Sequence, residues 1–289
     1  MDMRAVLAGL AFALIWSSAF SSARIIVAEA PPVLSLSLRF FISGALGIGI
    51  AFALGQSWRL TRDQWKATFV FGLCQNALYL GLNFVAMQTV QASMASIIAS
   101  TMPLLVALAG WLVFKDRLPR QGVIGLVAGI MGVGLIMGAR LQSGADLTGV
   151  VLCLLGVFAL TTATLAVRGA SSGGNLLMVV GLQMIVGAVA LLIPGLIFET
   201  WDVTWTRRLT LAFAYTTVFP GLLATFIWFW LVARIGAVKA ATYHFLNPFF
   251  GVAIAALLLN EPLGAVDVIG VAIITFGIWL VQRSRIAAR

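Results

Sequence analysis

The sequence predicts an all-α integral membrane protein, with ten transmembrane helices arranged as two five-helix repeats of inverted topology. Three observations carry this prediction. Of 289 residues, 62% are hydrophobic and only 9% charged, with a mean hydropathy of +1.08; soluble domains run at about 25% charged and roughly 45–50% apolar. Apolar runs of membrane-crossing length recur along the whole chain. One block of sequence returns at a fixed spacing in the second half.

A helix needs about 20 mostly apolar residues to cross the roughly 30 Å hydrocarbon core. Ten such spans are read at 5–23, 33–55, 67–87, 92–114, 121–139, 149–167, 175–198, 209–231, 239–259 and 264–282. The links Gln88–Gln91, Lys115–Arg120 and Asn260–Leu263 are tight, and no hydrophilic stretch is long enough for a separate domain. The first span ends in the small residues Ser17–Ala23, as a cleaved signal would. Its leading segment is weak, because Asp2 offsets Arg4, so it reads as a retained span.

In a soluble protein the net charge of +9 would suggest nucleic acid. Here the basic residues sit between apolar runs, where they orient the chain, and the lipid bilayer is the expected partner. With the N-terminus inside, thirteen Lys and Arg fall on the cytoplasmic side: Arg4, Arg59, Arg62, Lys66, Lys115, Arg117, Arg120, Arg168, Arg234, Lys239, Arg283, Arg285 and Arg289. Only Arg24, Arg140, Arg207 and Arg208 fall opposite, and Arg39 lies within a span. Both termini are therefore expected in the cytoplasm.

The repeat is read at an offset of 145. Ala95, Pro103, Leu112, Leu118, Val123, Ile124, Gly125, Gly132 and Leu135 match Ala240, Pro248, Leu257, Leu263, Val268, Ile269, Gly270, Gly277 and Leu280. The repeats are read as residues 1–140 and 141–289. Five helices is an odd number, so the second copy should enter the membrane from the opposite side. Its turn Asn260–Leu263 has no Lys or Arg, whereas the equivalent Lys115–Arg120 is basic. Inverted repeats are a recurring plan of secondary transporters, with the substrate site near the midplane.

Candidate functional groups follow from depth and polarity. Trp16, Tyr79, Pro103, Thr161, Pro220 and Pro248 lie roughly 14–18 Å from a span start, near mid-membrane. Asn76, Tyr79, Asn83 and Met87 form a polar stripe at helical spacing. His244 and Asn247 precede Pro248, which breaks the local helix bonding. Ser93, Ser96 and Ser100 lead to Pro103. Individual Ser and Thr residues more often bond their own backbone or join helices. Arg39 is the one charged side chain well inside a span; it can snorkel outward or pair with groups such as Ser35 and Ser43. Lys239 is a gating candidate at the mouth of helix 9. Glycines on helices 5 and 10 permit close packing; the chain is read as a monomer, with a dimer through such faces as the alternative.

What is missing narrows the function. None of the nine Asp and Glu lies deep in a span, although proton-driven pumps typically use buried carboxylates. His244 is the only group that titrates near neutrality, so facilitated passage is at least as well supported as proton antiport. There is no Walker A sequence. One His and two separated Cys make no metal cluster, and no cofactor is expected. Gly169–Gly173 reads G-x-S-x-G, but it falls in a short turn between helices, not at a strand-to-helix elbow. An enzyme is not expected; a channel is the better rival.

The segment Ile15-Trp16-Ser17-Ser18-Ala19-Phe20, the Arg39-Phe40 pair, and the two blocks Pro103…Asp116-Arg117-Leu118…Gly125…Gly132 and Pro248…Glu261-Pro262-Leu263…Gly270…Gly277 resemble the drug/metabolite transporter superfamily in its ten-helix, two-EamA-domain form. Within it the chain is similar to bacterial YddG-type amino-acid exporters. The resemblance implies an inner-membrane transporter whose helices 1, 3, 4, 6, 8 and 9 line a central cavity, with helices 5 and 10 as buttresses. It implies a small-molecule substrate, with amino acids, aromatic ones included, favoured. Trp16, Tyr79 and Phe219 would then offer aromatic contacts, and Asn83, His244 and Asn247 hydrogen bonds. Pro103 and Pro248 would be hinges, and Arg39 and Lys239 gating residues.

Overall fold

The computed structural model describes residues 3–113, 115, 118–166, 174–236, 240 and 242–287. Among them are ten helices: α1 (Met3–Val27), α2 (Pro32–Ala53), α3 (Arg62–Ala86), α4 (Ala92–Leu112), α5 (Arg120–Gln142), α6 (Leu147–Ala166), α7 (Leu176–Phe198), α8 (Arg207–Ile235), α9 (Tyr243–Leu259) and α10 (Ala265–Ala287). All but α9 have membrane-crossing length and apolarity. Outer faces carry fully apolar side chains such as Phe198, Ile193, Leu257 and Val268, while Trp58, Trp201 and Trp205 are exposed near span ends, as interfacial anchors are. The polar linkers start helices by side-chain capping: Thr61 and Gln64 form a reciprocal capping box at α3, and Thr206 accepts from the Leu209 amide at α8. Asn260 ends α9 with φ 53°, a left-handed conformation that Asn tolerates better than most residues.

Two helix pairs are sealed along their length. α5 and α10 run antiparallel with glycines at the seam: a Cβ on Gly277 would stand 2.6 Å from the Gly125 carbonyl oxygen and 2.7 Å from the Gly129 nitrogen. At the end of that seam Arg140 pairs with Asp267 at 2.9 Å. α2 and α7 also run antiparallel, with Gly181 so close to α2 that a Cβ would meet the Ile48 nitrogen at 2.8 Å. Glu199, just past α7, accepts from the Val33 and Leu34 amides at 2.9 and 2.8 Å, so the end of α7 caps the start of α2. The same device recurs where Glu261, past α9, accepts from the Ala92 and Ser93 amides of α4 at 2.8 and 3.0 Å. Carboxylates suit these positions, since the first amides of a helix lack partners and carry partial positive charge.

Four other helices are interrupted. α3 passes through a π-helical stretch at Gly72–Tyr79, and α8 through another at Thr217–Leu223. α4 breaks between Ala99 and Met102, and α9 changes from a 3-10 turn to α-helix at Asn247. Gly72 and Thr217 stand 145 residues apart, as do Met102 and Asn247. The interruptions therefore repeat in the register read from the sequence. π-turns cluster at functional sites.

The π stretch also splits the polar stripe expected on α3. Asn76 turns to α7, donating to the Gln183 carbonyl at 3.0 Å, while Tyr79, Asn83 and Met87 face elsewhere. The wider turn is the physical reason, because it changes the angular step that regular helical spacing assumes. Cys74 and Cys153 are free thiols.

Candidate functional site

α1, α2 and the interrupted helices α3 and α8 enclose a narrow cavity of about 40 Å³. α1 supplies Trp16, Phe20 and two alanines; α2 supplies Arg39; α3 supplies Tyr79, Asn83, Phe84 and Met87, with Leu80; and α8 supplies Pro220. The space suits two or three waters and, as it stands, is too small for a metabolite. Tyr79 reaches the lining because the π stretch ends at it. Pro220 lies inside the other π stretch, where its missing N–H is tolerated by bonding that is already irregular.

Polar groups are few and incompletely paired. The Asn83 amide donates to the Tyr79 carbonyl at 2.8 Å, and its side-chain oxygen is buried with no hydrogen-bond partner. Arg39 is 4% exposed, and its Nε is buried without a partner. The guanidinium carbon instead lies 4.5 Å from the centre of the Phe40 ring and 5.8 Å from that of Phe84. Ser35 and Ser43, considered as partners for Arg39, do not bond it. Ser35 donates to the Pro32 carbonyl at 3.1 Å and Ser43 to the Thr217 carbonyl at 2.9 Å. Both hydroxyls answer carbonyls, the second on the irregular stretch of α8. Removing a charge from water costs several kcal/mol even after relaxation, and two aromatic faces offset only part of that.

A second cluster adjoins the cavity through Trp16. Asn247 and the Nδ1 of His244 are 2.9 Å apart, and Ser17 donates to the Asn247 side-chain oxygen at 3.4 Å. The His244 ring sits among Phe12, Trp16 and Trp228, with centroids 5.2, 6.3 and 4.8 Å away. The interaction ties α1 to α9 where α9 leaves its 3-10 turn.

The structure thus brings Trp16, Tyr79, Asn83 and Arg39 to one cavity and sets His244 and Asn247 behind Trp16. It does not bring Phe219 there: that ring is 42% exposed and stacks on Tyr215 at 5.2 Å, while its neighbour Pro220 takes the lining place. Pro103 and Pro248 each stand in the first turn of the helical piece that follows an interruption. Ser93 and Ser96 leave buried hydroxyls unpaired, but Ser96 packs on Gly251 of α9, away from the cavity. Thr161 and Ser100 bond carbonyls of their own helices at 2.8 and 2.6 Å. Lys239 and the segment 169–173 lie outside the described residues. Sequence reasoning missed Phe84 and the capping carboxylates Glu199 and Glu261. An aromatic one turn beyond Tyr79, and an acid just past an apolar span, were the available signals.

One comparison settles the family. The EamA-like transporter family matches the chain twice, over residues 3–138 and 147–283. The chain belongs to that family. YvbV of Bacillus subtilis (strain 168), described as an uncharacterized transporter, is 28% identical over 275 residues, covering 94% of this chain and 90% of its own. YedA of Escherichia coli (strain K12), described as an uncharacterized inner membrane transporter, is 26% identical over 288 residues, covering 94% and 89%. A solved structure titled only as the crystal structure of a protein superposes with TM-score 0.69 at 21% identity, covering 99% of both chains, which shows the shared fold. As an EamA-like protein this chain is a multi-pass secondary transporter moving small metabolites across a membrane, and not an enzyme.

Proposed function

We propose that the chain is an inner-membrane exporter or facilitator of small metabolites, amino acids among them, which pass by alternating access through the cavity between two inverted five-helix halves, residues 1–140 and 141–289. The carrying observation is the set of interruptions on α3, α4, α8 and α9, two pairs in the 145-residue register. Weak points in equivalent helices of two halves suit a site that opens first to one side and then to the other. The antiparallel pairings of α2 with α7 and α5 with α10 support the inversion, since equivalent helices run in opposite directions. The basic bias of the linkers supports cytoplasmic termini. Trp16, Tyr79 and Asn83 are read as substrate contacts, with His244 and Asn247 joining when the narrow cavity widens. Pro103 and Pro248 serve as hinges. Lys239 keeps its reading as a gating residue, and the monomer remains the proposed state.

The test is uptake into liposomes carrying the purified chain, with a panel of amino acids, with and without a pH gradient. Saturable uptake and counterflow without a gradient are expected; strict dependence on the gradient would sink facilitation, and absence of counterflow would favour a channel. A second reading, a proton-coupled exporter of drugs or other metabolites, is favoured by the mostly apolar lining and by His244 near mid-membrane. Failure of every amino acid would move the assignment there.

A further inference from the structure

We propose that the cavity takes its substrate by a carboxylate, and that Arg39 is the group that binds it. The inference rests on the cavity being the transport site, as proposed above, and adds the charge that site receives. Arg39 lines the cavity at 4% exposure. Among the described residues it has no ion pair and no hydrogen bond, and its Nε is an orphan donor. Charged groups within spans are ordinarily paired. Its neighbours are the faces of Phe40 and Phe84, which steady a cation without using its N–H groups. A planar fork of uncommitted donors is thus held ready, and that fork matches a carboxylate in bidentate fashion.

Elsewhere the protein answers charge with its own groups. Asp267 takes Arg140, and Glu199 and Glu261 take pairs of helix amides. None of the chain's nine carboxylates falls within the middle of a span, so the counter-charge for Arg39 arrives with the substrate. Trp16, Phe20, Tyr79 and Phe84 surround the same space and suit an apolar or aromatic body. The class is a small carboxylate with such a body. Binding must widen a cavity that now holds about 40 Å³, which couples recognition to movement.

The experiment uses the full chain in liposomes with three labelled probes: L-phenylalanine, 3-phenylpropionate and L-phenylalaninamide. Saturable transport of one or both carboxylates and none of the amide is expected; the two carboxylates separate an amino acid from a simple acid. Arg39→Gln should lower carboxylate transport by about 10- to 100-fold, and Arg39→Lys by less. Trp16→Ala reports on the cavity itself. If Trp16→Ala lowers transport and Arg39→Gln does not, the cavity stands and the carboxylate assignment falls. If neither does, the cavity reading falls too. Amide transport equal to that of the carboxylates, or no transport of any probe, overturns the proposal in the unaltered protein, so a variant that fails to fold cannot shelter it.

Discussion

The α5–α10 pair and the α3–α8 pair are built from the same apolar alphabet and behave in opposite ways. α5 and α10 are unbroken, joined by glycines that bring backbone to within van der Waals distance of backbone, and locked at one end by Arg140 and Asp267. α3 and α8 each lose regular bonding for a stretch at mid-length and face the cavity with Tyr79 and Pro220. The difference teaches that rigidity here is a matter of backbone approach, since hydrophobicity gives no preference between helix and lipid. Glycine seams make a frame, and irregular turns make the part that adapts.

The largest effect should come from opening the seam. Gly277→Val places side-chain atoms against the Gly125 and Gly129 backbone, which cannot move aside as a side chain can. A loss of about 3 kcal/mol or more is expected, read as collapse of monodisperse yield and a lower Tm. Gly134→Val on α5, where a Cβ meets nothing within 4 Å, should leave both unchanged. Equal damage from the two would remove the distinction between seam and surface.

Next is the cap that fixes the start of an interrupted helix. Glu261→Gln keeps one acceptor for the α4 amides but loses the charge; a loss of about 1 kcal/mol is expected, measured by thermal unfolding in detergent. Unchanged stability would mean that these ends are as loose as the middles. Smaller again in stability, and visible in function, is Pro220→Ala. Restoring an N–H inside the α8 π stretch should leave Tm equal or higher while slowing transport several-fold, because a more regular helix adapts less. Faster transport would reverse the roles assigned to frame and path.

The smallest effect is a pH dependence in the link between α5 and α6. The Gly149 amide, and after it the Thr89 hydroxyl, hold the Asp146 carboxyl below the usual aspartate range. A lowered folded value means that the unfolded chain binds the proton first. The contribution is therefore complete at neutral pH and fades as pH falls below about 4. Thr89→Val should shift that loss to higher pH, and NMR titration of the Asp146 carboxyl would check it.

Much of this architecture is legible in the sequence. Hydropathy located all ten helices to within a few residues at most ends, because bilayer thickness imposes a length that few other constraints mimic. Since the rise per residue of an α-helix is fixed, depth counting puts Trp16, Tyr79 and Pro220 near mid-membrane, and all three line the cavity. Rotation is not so fixed. The regular period behind the α3 polar stripe does not hold across Gly72–Tyr79, where the wider turn redirects Asn76; Phe219, a contact that only the resemblance implies, gives way to Pro220 within Thr217–Leu223. The apolar pattern of these stretches carries no mark of that change. Long-range polar partners were equally hidden: nothing in the sequence near Val33 points to Glu199, 166 residues away.

Those distant caps bear on how the chain comes to be made. α2 and α4 belong to the part synthesised early, and the carboxylates that satisfy their first amides arrive only with Glu199 and Glu261. Chains emerge from the ribosome in order, at roughly 5–20 residues per second. The earlier helices must therefore wait many seconds in the bilayer with their leading amides answered by water or lipid headgroups. The later half completes them on arrival, so biogenesis ends with a capping step that a truncated chain could not perform for itself.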